Sequence, residues 1–404
     1  MGWVLRLENI KNKIIRRANE LAIIIVFLVG FAFCAFLPAE NITTGIFYVG
    51  TVFLAVLFAA LSEMARTDVG FNVLYYLSFL VLFFVLGFRN FSAIDDPSYI
   101  RMFNNVIKEG WFSVFKSTNV EPGYLFLNYL VSRFTDKYLY MQLITAFIPL
   151  FLFYVSFKRY KSIISLPLAI LLLCTTLYFQ MLSVALVRMF ISISIVFFAF
   201  YYIPKNNTKV FIALILLAGT FHYSSLFMLI LVYFMLNRKN LSTRAKWFVI
   251  IVFVTIPIAF LAISKLLVPM LGPRYARYGV LNMPRFRLSS FDTVPLLLLL
   301  IPAYKRVKGE KKLYYKLMLA IYALSSIISF YSTMVPMGRL IFYANSAFLL
   351  AAPMAFRELA GSLKKVIFTV LIILYGFLYL YVTQFSFESH IPFLFPYENI
   401  YFTL

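Results

Sequence analysis

Apolar runs close to the length of a bilayer-spanning helix recur along this chain, and short clusters of lysine and arginine separate them. A helix needs about 20 apolar residues to cross a hydrocarbon core of about 30 Å, and the runs at 21–37, 44–62, 70–88 and 138–157 are of that order. They lack the ten-residue alternation that a membrane barrel requires. With 63% hydrophobic and 13% charged residues, the chain is too apolar for a soluble globule, so lipid must be its solvent. The expected fold is an all-α polytopic membrane protein, a helical bundle.

The net charge of +22 fits either nucleic-acid binding or the cytoplasmic excess of cations in membrane proteins, and position decides between them. Placing the basic segment 1–20 in the cytoplasm and walking along the chain gives about thirteen crossings with most lysines inside. Nucleic acid is then not expected as a partner. The predicted organisation is a basic N-terminal segment 1–20, a transmembrane domain 21–382 with outer loops 89–137 and 266–290, and an outer tail 383–404. Segments 99–115 and 121–135 read as amphipathic or re-entrant, because a crossing at 121–135 would put Lys158, Arg159 and Lys161 on the wrong side. The first helix reads as retained, since no small-residue cleavage site follows it. Cys34 and Cys174 both fall in apolar runs, and no disulfide is expected.

The stretch 210–236 lies between two inside clusters, Lys205/Lys209 and Arg238/Lys239, so the chain must turn back within it. Each arm is about 13 residues, or roughly 20 Å of helix, short of the core thickness. His222 stands at that turn, with Thr220, Tyr223, Ser224 and Ser225 around it. It is expected on the floor of an outward-facing cavity, although a histidine on an apolar helix more often serves as a hydrogen-bonded structural residue.

On or near the outer side stand the arginines Arg89, Arg188, Arg274, Arg277, Arg285, Arg287 and Arg339. Arg188 interrupts the apolar run "SVALVRMFISISIV", where a guanidinium costs at least ~2.5–3.5 kcal/mol unless it meets a partner or a wet cavity. The planar fork suits bidentate capture of phosphate oxygens, so the outer face is expected to hold an anion such as pyrophosphate. The structural alternatives are lipid head-group contact for Arg285 and Arg287, pairing with a buried acid for Arg188 and snorkelling for Arg339. Outer acids cluster in "AIDDPSY" and "NVEPGY". Asp95 or Asp96 before Pro97 reads as a helix N-cap, and Glu121 before Pro122-Gly123 reads as a turn acid that could pair with arginine or act as a base. Phosphate-cradling glycine loops, HExxH, CxxC and GxSxG are all absent from the sequence, which argues against nucleotide-driven cytoplasmic chemistry.

Taken in order, Arg89, "DDPSY" (95–99), "EPGY" (121–124), Arg188, "FHYSS" (221–225), "RYARY" (274–278), "GRLIFY" (338–343) and "FPY" (395–397) form a pattern that resembles the EpsG-like branch of Wzy-type O-antigen and exopolysaccharide polymerases, over roughly 89–397. The resemblance implies a multi-pass enzyme of the bacterial inner membrane with its site facing outward and a fold related to the GT-C glycosyltransferases. Such polymerases transfer a growing glycan from undecaprenyl pyrophosphate to the non-reducing end of a lipid-linked repeat unit. They need no nucleotide or other cofactor, and a flippase and a chain-length regulator are implied partners. On this reading Arg188 and Arg339, then Arg274, Arg89 and Arg277, stabilise the pyrophosphate. His222 is the first candidate for the base that activates the attacking hydroxyl, with Glu121 and Asp95 competing. Tyr99, Tyr124, Tyr275 and Tyr278 would stack on sugars. No metal is required if arginines carry the charge work, although Asp95, Asp96 and Glu121 could hold one. Direct displacement would invert the anomeric centre, whereas a covalent intermediate on Glu121 would retain it. The rival readings are a lipid-linked oligosaccharide transporter, an O-antigen ligase and, more distantly, a membrane acyltransferase.

Overall fold

A computed structural model describes residues 23–35, 37–91, 93–118, 120–231, 293–332, 338–359, 362–385, 394 and 397–401. The expected cytoplasmic segment 1–20, the crossing at 247–265 and the outer loop 266–290 lie outside the described residues. Within them the chain is helical, apart from one isolated bridge between Arg89 and Asn399. In order the helices are α1 (Ile23–Cys34), α2 (Ile42–Met64), α3 (Asp68–Gly87), α4 (Asp96–Glu109), α5 (Trp111–Thr118), α6 (Pro122–Ser132), α7 (Tyr138–Arg159) and α8 (Leu166–Val184). They continue with α9 (Val187–Ala199), α10 (Thr208–Phe221), α11 (Thr293–Tyr304), α12 (Glu310–Ser332), α13 (Gly338–Asn345), α14 (Phe348–Glu358) and α15 (Ser362–Leu380).

Among the described residues, six helical segments are long and apolar enough to cross a bilayer: Ala39–Met64, Asp68–Gly87, Tyr138–Arg159, Leu166–Val184, Gly338–Glu358 and Leu363–Gln384. Four more apolar helices, α1, Val187–Tyr202, α10 and α11, are shorter. These are the elements of a multi-pass membrane protein. The expected thirteen crossings include these shorter helices and segments outside the described residues.

The chain divides into two compact units, one taking in residues 1–194, 220–222 and 352–404, the other 195–219 and 223–351. In the first, α8 packs against α2, α7 and α15, and α3 packs against α2 and α7. Every residue from Leu166 to Leu173 is buried, as expected of a helix that is apolar on all sides. Lipid offers no water to buried polar groups, so hydroxyls must bond to neighbouring helices. Tyr75 donates to the Tyr154 carbonyl, Ser78 to that of Ala55 and Tyr178 to that of Leu82, each at 2.7 Å. Toward the basic ends of these helices, Glu63 accepts from Arg357 at 2.7 Å and from the Leu166 amide at 2.9 Å, which ties α2, α8 and α14 together. Toward the other ends, the stretch around Arg89 pairs with the C-terminal residues: Asn90 N–H donates to Glu398 O at 2.9 Å and Ile400 N–H to Phe88 O at 3.1 Å.

In the second unit α12 packs against α11 and α13, and α13 against a 3-10 turn at Tyr223–Leu229. Tyr315 donates to the Leu300 carbonyl at 2.6 Å, and Tyr322 stacks on Phe348 at 5.0 Å between centroids.

Candidate functional site

Three chain breaks in the first unit bring the site together. The first lies between α8 and α9, where Ala185 adopts φ 53° and ψ 52°. This left-handed conformation costs a residue with a Cβ about 1–2 kcal/mol. It breaks the helix, and the next one starts at Val187, so that Arg188 sits in the first turn of α9 rather than in the middle of a continuous apolar span. A cation there opposes the positive end of the helix dipole, which favours a carboxylate as its neighbour.

The second break supplies that carboxylate. Glu121 precedes Pro122 at the start of α6, with the extended backbone that proline imposes on the residue before it (φ −56°, ψ 131°). The third is the end of α10 at Phe221, after which His222 stands alone before the 3-10 turn. Gly123 explains how the second and third can meet. A Cβ at that position would lie 2.2 Å from Thr220 Oγ1 and 2.9 Å from the Thr220 carbonyl oxygen, so only glycine allows α6 this close to the segment that carries His222.

Arg188 donates through Nη1 to Glu121 Oε2, and His222 Nδ1 lies 3.0 Å from Glu121 Oε1. Both carboxylate oxygens are thus engaged by side chains distant in sequence. Glu121 is 4% exposed and His222 7%. Burial pushes the Glu121 carboxyl up, but the His222 hydrogen bond and the Arg188 charge outweigh it and bring the carboxyl down to about 2. An ionised carboxylate only accepts hydrogen bonds, so His222 donates to it through Nδ1. Among the described residues Arg188 Nε is buried without a hydrogen-bond partner, as is Arg89 Nε.

Tyr99 of α4 lies under the Arg188 guanidinium, with its ring centroid 5.9 Å from Cζ, and meets Tyr124 of α6 edge-on at 5.5 Å. Both rings are buried. Tyr99, Glu121, Tyr124, Arg188 and His222, which the sequence singled out separately, therefore form one cluster. Asp95 stands at the start of α4, half-buried, with its amide bonded to the Val184 carbonyl at the end of α8. Arg89 is elsewhere engaged. Its Nη2 donates to Asp96 Oδ1 at 2.7 Å, while Asp96 Oδ2 accepts from the Ala93 amide at 3.0 Å. Arg339 lies on α13, exposed, in the second unit. Arg274, Tyr275, Arg277 and Tyr278 fall outside the described residues, as do Arg285 and Arg287. Among the described residues no group of three or more His, Cys, Asp or Glu side chains is placed to hold a metal ion.

The sequence model of the EpsG family matches residues 72–399. The chain belongs to the EpsG family. Membership carries a polysaccharide-polymerase-like, glycosyltransferase-like role, and the matched span includes every residue of the cluster. Comparisons with curated proteins and with solved structures returned no match.

Two residues beside this cluster are not singled out by the sequence alone. Gly123 was read only as part of a turn. Asn128, which donates to the Tyr124 carbonyl at 2.7 Å with its own Oδ1 buried and unpartnered among the described residues, follows Tyr124 by four residues on one face of α6, a spacing visible in "EPGYLFLNYL".

Proposed function

We propose that this EpsG-family protein is a lipid-linked polysaccharide polymerase. It transfers a growing glycan from undecaprenyl pyrophosphate to a sugar hydroxyl at the non-reducing end of a second lipid-linked repeat unit, at the outer face of the bacterial inner membrane. The observation that carries the reading is the buried Glu121 carboxylate shared by Arg188 and His222 in a chain that matches this family over 72–399.

The acceptor hydroxyl oxygen attacks the anomeric carbon, the anomeric C–O bond breaks, and its electron pair leaves on the lipid pyrophosphate. The hydroxyl proton passes to His222 Nε2, while Glu121 accepts from Nδ1–H and holds the ring in place. Arg188 meets the negative charge that develops on the leaving group, using the donors that Glu121 leaves to it. Arg339, Arg274 and Arg277 are proposed as further pyrophosphate ligands, and Tyr99 and Tyr124 as the aromatic wall behind the guanidinium. Engagement of both Glu121 oxygens favours direct displacement with inversion over a covalent glycosyl intermediate on that residue.

The test is incubation of the purified protein in lipid with its native pyrophosphate-linked repeat unit. The reading predicts a ladder of products with inverted linkages. Repeat units that cross the bilayer without growing would indicate transport, and transfer only to a different lipid acceptor would indicate a ligase.

A further inference from the structure

Helices α4, α5 and α6 have 14, 8 and 11 residues. At ~1.5 Å per residue none approaches the ~30 Å of a hydrocarbon core. Their inner stripes bury Tyr99, Phe103 and Val106 on α4 and Tyr124, Asn128 and Val131 on α6. On the other side of α6, Phe126, Leu130 and Phe134 follow at four-residue intervals and are 45%, 42% and 90% exposed. Trp111 of α5 meets Phe126 edge-on at 5.9 Å and Phe112 at 5.7 Å, and Phe126 stacks on Tyr129 at 6.4 Å. The result is a continuous aromatic surface with no protein covering it among the described residues.

Its rim is cationic. Lys116 Nζ lies 4.6 Å from the Phe112 centroid and Arg133 Cζ lies 5.4 Å from that of Tyr129. From Ser132 only residues 133–137 lead into the span α7. Exposed rings beside cations, one short link from a transmembrane helix, match the composition of interfacial helices, whose rings reach the acyl boundary while Lys and Arg extend to phosphate.

We propose that α5 and α6 are seated in the bilayer interface, with Trp111, Phe112, Phe126 and Leu130 at the acyl boundary and Lys116 and Arg133 against anionic phospholipid head groups. The inference rests on the multi-pass membrane reading and is independent of the proposed reaction. Its consequence for the site is positional: Glu121 immediately precedes the helix that presents this face to lipid, so the bilayer holds the carboxylate at head-group depth.

The test uses the full chain with Trp3→Phe and Trp247→Phe, which leaves Trp111 as the single tryptophan of three. It is reconstituted in phosphatidylcholine vesicles with or without phosphatidylglycerol, in which the acyl chains carry bromine. The proposal predicts strong quenching of Trp111 by brominated lipid, weak quenching by acrylamide, and about a two-fold gain in lipid quenching with phosphatidylglycerol that Lys116→Gln with Arg133→Gln removes. Ready quenching by acrylamide with none from brominated lipid would place the face in water and overturn the proposal. Protection from both quenchers would mean a protein covers it, such as a second copy, and would overturn it equally. Should the tryptophan variant fail to fold, photoactivatable lipid incorporated with the unsubstituted protein must label peptides within 111–134, and an absence of label there has the same meaning.

Discussion

Arg89 meets Asp96 with the two side chains 3% and 0% exposed, whereas Arg188 meets Glu121 at 14% and 5%, with His222 on the same carboxylate. The first pair closes a loop of seven residues, and its second oxygen caps the local backbone. The second joins partners 67 and 101 residues apart, and among the described residues Nε lacks a hydrogen-bond partner in Arg188 and Arg89 alike. Identical chemical groups thus serve a local clasp in one place and a convergent, strongly polarised cluster in the other. What sets the second arginine apart is that its partner comes from afar and meets a histidine as well.

The sharpest way to break this distinction is to remove half of the clasp. Arg89→Ala strands Asp96 as a buried charge, and a loss of about 3–5 kcal/mol of stability is expected, read as a lowered thermal midpoint in detergent with extension activity per folded molecule largely kept. Next in size is a pH effect on the cluster. Ionised Glu121 stabilises the fold in full above 4.5, its ordinary value, and the stabilisation is lost as pH falls toward about 2, a contribution on the order of 3 kcal/mol. Unfolding midpoints measured across that range should fall with pH for the wild type and lose most of that slope in Glu121→Gln. Gly123→Ala presses a methyl group onto Thr220 and should cost about 1–3 kcal/mol. Because the strain falls on the contact that brings His222 to Glu121, its extension rate should drop more than its stability does. Smallest is Arg339→Ala: this residue is exposed, so stability should change by no more than about 0.5 kcal/mol, and any loss of rate reports on substrate rather than on folding.

Much of the architecture was legible because lipid imposes a simple rule, that an apolar run of sufficient length becomes a helix. The runs at 44–62, 70–88 and 138–157 reappear as α2, α3 and α7 within a few residues. The turn expected near His222 coincides with the end of α10 at Phe221. Amphipathic character at 99–115 and 121–135 reappears as the short helices α4 to α6. The helix break at Ala185 was not legible, because alanine carries no turn signal. Nor was the division of labour between Asp95 and Asp96. Adjacent carboxylates before a proline look alike in sequence, and only the fold decides that Asp96 faces Arg89. The individual site residues could be named from charge in an apolar setting, but their convergence on Glu121 depends on Gly123 abutting Thr220, a contact across 97 positions that no local pattern encodes.

The most direct test of the central claim is the initial rate of glycan extension per folded molecule, with the native lipid-linked repeat unit, for wild type and His222→Gln. A base positioned by Glu121 predicts a fall of about 10²–10⁴-fold at nearly unchanged thermal stability. A rate within about two-fold of wild type would contradict it, because general-base assistance of that size cannot be removed so cheaply, and would leave the cluster as a structural tie like that of Arg89 and Asp96.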